Sequence, residues 1–200
     1  MDYELILAEG IRAGQFGGSI EPHGAHAMGF VHFLGNTPLR GVAVDLGSGA
    51  GLPALVLAVA FPETRWTLIE RRSGRTDLLR RAVHRLGLLD RVAVITGDAA
   101  IVGWSDLRGK ADWVTARSFG TPGDTAEVAA PLLRDGGSLL VSEPIDTDLE
   151  TRWPSAGLER CGLVFAEEWS IPSGRYLRLE RTADEIATLP RKGARKSPVF

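Results

Sequence analysis

The chain has 200 residues, 44% hydrophobic and 24% charged, with 23 Lys and Arg against 25 Asp and Glu for a formal net charge of −2. Those proportions fit one globular domain with a sizeable core and exclude a disordered or collagen-like chain. A single cysteine, Cys161, excludes an internal disulfide and fits a reducing compartment. No signal-like stretch opens the sequence and no apolar run nears the roughly 20 residues of a membrane span, so we expect a cytoplasmic protein with no membrane partner.

In chain order, residues 2–13 read as an amphipathic helix with Leu5, Leu7 and Ile11 on its apolar face, and residues 15–19 as a turn-like break. Residues 26–34 read as a second helix, and residues 1–40 together as a helical cap. His23, His26 and His32 lack a carboxylate or cysteine at ligand spacing, so we expect solvated or packed histidines and no metal. The strand at 42–46 is short, β-branched and apolar; it is followed by Gly47, Gly49 and Gly51 at alternate positions and an apolar helix at 54–61. Pro62 stops that helix. Strands then alternate with helices: strand 65–70, helix 73–86, strand 91–96, a weak and partly helical connector 98–107, strand 111–116, helix 124–133 and strand 138–142. A short helix at 153–160 precedes strands 163–171 and 175–181, which flank a hairpin signal at Pro172 to Gly174. Residues 183–200 show no core pattern and read as a basic surface tail.

This order implies an α/β Rossmann-like fold. A mostly parallel seven-stranded sheet, with an antiparallel C-terminal pair, carries helices on both faces. We expect a single domain over 1–200, with its core at 41–182. Ligands in such sheets bind at the carboxyl ends of the strands near the switch point, so the residues that end the strands are the candidates. The glycine turn does not have the G-x-G-x-x-G spacing of dinucleotide folds, because Leu52 stands where the third glycine belongs. It resembles instead the D-x-G-x-G-x-G turn of S-adenosylmethionine (SAM) methyltransferases. Asp45, Gly47, Ser48, Gly49, Gly51 and Leu52 are therefore candidate cofactor-binding residues, Asp45 either bracing the loop or meeting an ammonium. Glu70, with Arg71 beside it, ends the second strand 25 residues after Asp45, where a carboxylate can accept two ribose hydroxyls. Asp98 either faces the adenine amino group or caps a turn. Arg117 follows the fourth strand, from where a guanidinium can reach both cofactor and acceptor, and it is the one candidate catalytic residue.

The runs Asp45-Leu-Gly-Ser-Gly-Ala-Gly-Leu-Pro53, Phe61-Pro62, Thr67-Leu-Ile-Glu-Arg-Arg72 and Val114-Thr-Ala-Arg-Ser-Phe119 resemble the RsmG (GidB) family. So do Ala129-Ala-Pro-Leu-Leu-Arg134, Gly136-Gly137 and the tail motifs Pro190-Arg-Lys-Gly193 and Lys196-Ser-Pro198. The resemblance implies a SAM-dependent enzyme that methylates N7 of a guanine in small-subunit ribosomal RNA. Carried over by position, the family's SAM contacts fall on Gly47, Leu52, Ala99, Ala100 and Arg117. The chain departs from the family where an acid usually stands at Ala100. It also departs after His26, where a His-x-x-Asp-Ser pattern is replaced by His26-Ala-Met-Gly29-Phe30. These changes lie more on the acceptor side than on the SAM side.

Residues 190–200 hold Arg191, Lys192, Arg195 and Lys196 and no acid, a local charge of +4 that leaves −6 on the body. This cluster, and a second from Arg71 to Arg91 diluted by Asp77 and Asp90, are the candidate phosphate-binding surfaces for a ribosomal RNA or small-subunit partner. Guanine N7 is already an unprotonated acceptor, so its methylation needs neither a general base nor a metal. That matches the absence of any nucleophile–base constellation in the sequence. Two alternatives remain open at this point: a methyltransferase for a small metabolite on the same scaffold, and a SAM- or RNA-binding protein without catalysis.

Overall fold

In the computed structural model of the chain, the described residues are 4, 8, 10, 19–35, 39–182, 186, 188–191 and 199–200. The expected helix at 2–13 and the break at 15–19 lie for the most part outside them, as do Lys192, Arg195 and Lys196. Helix α1 is Ile20–Leu34, followed by β1 Gly41–Leu46, α2 Ala54–Ala60, β2 Thr64–Glu70, α3 Ser73–Arg85 and β3 Val92–Thr96. Then come α4 Ala99–Val102, β4 Ala111–Ala116, α5 Pro122–Ala129, a 3-10 turn Ala130–Leu132 and β5 Leu133–Glu143. Helices α6 Leu149–Arg152 and α7 Ser155–Arg160 precede β6 Leu163–Ile171 and β7 Gly174–Arg181.

All seven strands form one sheet in the order β3-β2-β1-β4-β5-β7-β6. The pairs from β3 to β5 are parallel, and β7 runs antiparallel to both β5 and β6. The chain winds outward from β1 to β3 and then returns to the other side of β1 through β4. The switch point of the sheet therefore lies between β1 and β4, where such folds open a ligand crevice.

Alternation along each strand distributes its side chains between two cores. Val44, Ile69, Leu139 and Val141 join Ala126, Ala129 and Leu158 of α5 and α7 on one face. Ala43, Trp66, Leu68 and Leu140 join Phe30, Leu55, Leu57, Leu79 and Val83 of α1, α2 and α3 on the other. Burial on both faces explains why the central strands read as continuous apolar runs. Local signals fix the helix ends. Thr121 and Asp124 form a reciprocal capping box at the start of α5, with Pro122 in its first turn. Gly35 closes α1 at φ 45°, its N–H donating to Val31 O at 3.1 Å.

Four expectations change. Helix α1 begins six residues earlier than the apolar pattern shows, because its first turns are polar. The connector after β3 contains only a single helical turn, α4. The helix before β5 gives way to the 3-10 turn, and β5 begins at Leu133, ahead of the Gly136-Gly137 irregularity that hid its start. The C-terminal segment is not a surface tail throughout: Leu189 and Val199 are buried, and Phe200 packs edge-on against Trp153 at 6.4 Å. No helix among the described residues is long and apolar enough to cross a membrane.

Candidate active site

The turn after β1 is built by its backbone. Gly47, Gly49 and Gly51 all have positive φ (65°, 52° and 94°), conformations that exclude a β-branched residue. A Cβ on Gly47 would sit 2.9 Å from the Phe119 ring, so the glycine also admits the close approach of that side chain. Ser48 N–H donates to Ile69 O at 3.0 Å and Gly51 N–H to Ser48 O at 2.6 Å. Glu70, 5% exposed at the end of β2, ties the turn to its neighbour. Its Oε2 accepts from Gly49 N–H at 3.2 Å and its Oε1 from Arg72 N–H at 2.9 Å. Arg75 Nη1 stands 3.8 Å from Oε2, so Oε1 is the freer of the two oxygens for a ligand hydroxyl.

These elements enclose a cavity of about 150 Å³ lined by residues that include Gly47, Glu70, Arg71, Asp98, Ala99 and Phe119. Five of the sequence candidates thus meet in one cleft at the carboxyl ends of β1, β2 and β3. Asp98 fills both roles read for it: its Oδ1 caps α4 through Ala100 N–H at 2.9 Å, and the residue lines the cleft. Other candidates lie elsewhere. Leu52 packs with Ala27 and Val56 between α1 and α2, Gly51 abuts Leu55, and Ala100 packs on the core behind α4. These three shape the turn and helix from behind and do not line the cleft. Ser48 is buried beneath the turn, its hydroxyl donating to Asp45 O at 3.2 Å.

Asp45 is fully enclosed beside the turn. Its Oδ1 accepts from Thr115 Oγ1 at 2.5 Å, while its Oδ2 is buried with no partner. Burial pushes the carboxyl up to about 7, against the opposing pull of the Thr115 and Ser48 hydrogen bonds. A buried carboxylate oxygen without a partner calls for a proton or a cation. A ligand that brings an ammonium towards β1 and vicinal hydroxyls towards Glu70 would answer both carboxylates, and SAM has both groups.

Across Ser118 lies a second cavity, of about 480 Å³, whose walls include His26, Arg117, Glu143, Asp146, Pro172 and Gly174. Ser118 lines both cavities and is the only non-glycine residue with positive φ (54°) among those described. Arg117 is partly buried and its Nη2 lies 3.0 Å from His23 Nδ1. Desolvation lowers its pKa, against the opposing influence of Tyr176 and Asp45. His26, which heads the altered His-x-x-Asp-Ser pattern and was expected to be a solvated or packed histidine, lines this cavity. Burial, with the nearby Arg117 and His23 charges, lowers its pKa to about 4, so its imidazole is neutral, and its Nδ1 is buried without a partner. Behind it, Tyr176 donates to His26 O at 2.8 Å and crosses the Phe30 ring edge-on at 4.9 Å. A Cβ on Gly29 would collide with the Tyr176 hydroxyl, which explains the glycine there. The departure at Gly29 and Phe30 was the one signal that this wall is built differently.

Of the basic tail, Arg191 is described, and it is engaged internally. Its Nε and Nη2 donate to the fully buried Glu127 carboxylate at 2.9 and 2.8 Å, and its backbone N–H does so at 2.7 Å.

The sequence model of GidB, described as rRNA small subunit methyltransferase G, matches residues 25–150. A ribosomal RNA small subunit methyltransferase G of Prochlorococcus marinus is 34% identical over 74% of this chain and 63% of its own length. Its counterpart in Syntrophomonas wolfei is also 34% identical, over 86% of this chain and 82% of its own. The match to the first thus spans less than two thirds of that relative. Among solved structures, the mitomycin 7-O-methyltransferase has a TM-score of 0.63 at 22% identity, covering 79% of this chain and 53% of its own. An RNA methyltransferase from Salinibacter ruber, in complex with S-adenosyl-L-homocysteine, has a TM-score of 0.55 at 19% identity, covering 72% and 83%. The two structures show the fold alone, and they share it although one is named for a small molecule and the other for RNA. The matches over most of the chain, together with the glycine turn and strand-end carboxylates, show that this chain belongs to the GidB family, described as rRNA small subunit methyltransferase G.

Proposed function

We propose that the chain binds SAM in the cleft at the ends of β1, β2 and β3 and methylates N7 of a guanine of small-subunit ribosomal RNA, acting in the cytoplasm as one methyltransferase unit. The observation that carries this reading is the meeting of two cavities at Ser118. One is walled by Gly47, Glu70, Asp98 and Ala99, the other by His26 and Arg117. When bound, SAM supplies an electrophilic methyl group on a sulfonium. Glu70 and Asp98 would hold its adenosyl portion and Asp45 its ammonium, while the glycine turn lets the ligand lie against the main chain. Arg117, with donors to offer a carbonyl or phosphate oxygen, would orient the acceptor in the second cavity. The work left to these residues is alignment and exclusion of water.

The histidine on the wall of the second cavity suits an acceptor that loses no proton before attack. An imidazole held at about 4, as at His26, is a weak base. Guanine N7 carries its lone pair unprotonated. The family description and the names of the relatives supply the ribosomal RNA. One observation favours a second reading, a small-molecule acceptor: the wall behind His26 is aromatic, with Phe30 and Tyr176 standing against Gly29. Incubation with tritiated SAM, undermethylated small ribosomal subunits and, separately, a metabolite extract distinguishes the two. Label in the RNA supports the proposal; label only in the extract supports the second reading, and no transfer would leave a binding protein.

A further inference from the structure

We propose that Asp146 reads the Watson–Crick edge of the acceptor base in the second cavity, accepting from N1–H and the N2 amino group of an unpaired guanine and rejecting adenine. The inference deepens the ribosomal RNA reading above and rests on it. At about 480 Å³ the cavity falls within the span of roughly 300–1,000 Å³ typical of small-ligand pockets, room enough for one flat base.

Two carboxylates stand in its wall, Glu143 and Asp146. Glu143 is occupied by the fold. It is 7% exposed, its Oε1 accepts from Trp153 Nε1–H at 2.9 Å and its Oε2 from Arg152 Nε–H at 2.7 Å. Asp146 is exposed, and its carboxylate makes no hydrogen bond or ion pair among the described residues. The backbone that carries it is nevertheless fixed. Asp146 lies in the turn between β5 and α6, where Thr147 N–H donates to Pro144 O at 3.1 Å. From β7, Arg175 Nη1 donates to Thr147 O at 3.0 Å, while its Nη2 is paired with Glu168 at 2.8 Å. A carboxylate without a partner, carried on a braced turn, is preorganised for a ligand that brings N–H donors.

The placement of the charges selects the base. Arg117 adjoins Ser118, where this cavity meets the cofactor cleft. Asp146 stands three residues past the end of β5, on a segment that does not line that cleft. The guanidinium is thus at the end from which the methyl group comes, and the carboxylate is away from it. Guanine has the same polarity: N7 and O6 accept on one edge, and N1–H and the N2 amino group donate on the next. With N7 turned to the cofactor, O6 falls to Arg117 and the two donors to Asp146. Adenine reverses both signs, with an amino group in place of O6 and a lone pair at N1. It would set donor against donor and acceptor against acceptor, the kind of mismatch that discriminates most strongly. Pro144, Ile145 and Pro172 add apolar surface to the same wall, and Ile145 is 47% exposed. A base drawn out of its stack is held between such surfaces and read on the edge that pairing would otherwise cover.

The test pairs a change in the protein with a change in the base. Small subunits are reconstituted on RNA ligated to carry inosine in place of the guanine that takes the methyl group. Inosine keeps N7, O6 and N1–H and lacks the N2 amino group. For the parent, Asp146→Asn and Asp146→Ala, kcat/KM for transfer from tritiated SAM is measured on both substrates, with SAM affinity and melting temperature as checks on the fold. The proposal predicts that the parent prefers guanine to inosine by roughly 10- to 150-fold, the effect of one hydrogen bond to a charged group, and that in Asp146→Ala the preference drops below about threefold. Asp146→Asn, which keeps one accepting oxygen, should fall between, and SAM affinity and melting temperature should be unmoved in both variants. A parent that does not distinguish the two bases would overturn the proposal. So would a preference in Asp146→Ala equal to that of the parent, even with slower turnover, because Asp146 would then only brace the turn. In these cases label still enters the RNA and the role of Asp146 alone falls; if the parent puts no label into small-subunit RNA, the RNA reading falls and the proposal with it.

Discussion

The two cavities that meet at Ser118 are shaped by different parts of the chain. On the cofactor side the main chain does the shaping: three glycines at positive φ, strand-end amides, and a buried Glu70 that ties one to the other. On the proposed acceptor side the wall consists of side chains, with His26, Phe30 and Tyr176 in edge-on and tilted ring contacts between α1 and β7 and Arg117 reaching across to His23. A backbone-made site tolerates little variation, because each residue must permit the same dihedral angles. A side-chain wall can be rebuilt one substitution at a time. Of the positions that depart from the resembled family pattern, Gly29 and Phe30 fall on that second wall, while Ala100 stands behind α4 on the cofactor side.

The largest effect expected from this contrast is at Gly49. Gly49→Val forces a β-branched residue to φ 52°, so a protein that still folds should show no SAM binding by calorimetry. Unchanged affinity would break the claim that the backbone makes this site. Asp45 comes next. Its carboxyl keeps its proton to about pH 7 when folded but only to about pH 4 when unfolded. The native state thus binds more protons across that window, and this group's contribution to stability falls as pH rises from about 4 to about 7. Asp45→Asn should therefore stabilise the ligand-free protein at pH 8 by on the order of 1–4 kcal/mol, give no gain below pH 4, and weaken SAM binding. A loss of stability at pH 8 in thermal unfolding would contradict the orphaned oxygen.

Glu70→Ala should cost about 1.5–3 kcal/mol in SAM affinity, the range for hydrogen bonds to a charged group. Because the carboxylate also holds Gly49 and Arg72 N–H groups, a drop in melting temperature should accompany the loss. Destabilisation with intact SAM affinity would make Glu70 a brace only. On the other wall, Gly29→Ala places a methyl against the Tyr176 hydroxyl and should destabilise by about 1–3 kcal/mol while leaving SAM affinity nearly intact. If SAM affinity fell as far as stability, the two walls would not be separable.

The same contrast explains what was legible in the sequence. Strand β1 announced itself because burial on both faces makes its run apolar, and the cleft residues Gly47, Glu70, Asp98 and Ala99 followed from their places at strand ends. His26 was named as the head of an altered family pattern, but its place in the second cavity was not legible, since a histidine on a helix gives no pattern until Arg117 and Gly174 are brought opposite it. The docking of Leu189, Val199 and Phe200 was hidden because isolated apolar residues have no period. Arg191 looked like a phosphate ligand because its partner Glu127 is 64 residues away in sequence.

That docking also changes how the basic segment should be tested. Deleting residues 190–200 would remove the packing of Val199 and Phe200 along with the charge, so neutralising Lys192, Arg195 and Lys196 to Gln is the cleaner experiment. If these cations meet phosphates, the slope of log affinity against log salt should flatten by roughly 0.7–0.9 per contact, with melting temperature and SAM affinity unmoved. An unchanged slope would confine RNA contact to the rest of the surface.

The central claim is that the acceptor atom is a guanine N7 presented across Ser118. It is tested most directly by locating the methyl group in small-subunit RNA after reaction with SAM. A 7-methylguanine carries a positive ring that borohydride reduces, after which aniline cleaves the strand at that nucleotide. The account predicts enzyme-dependent cleavage at one guanine, in step with the label incorporated. Label in the RNA without cleavage, or transfer only to a small molecule, would contradict it.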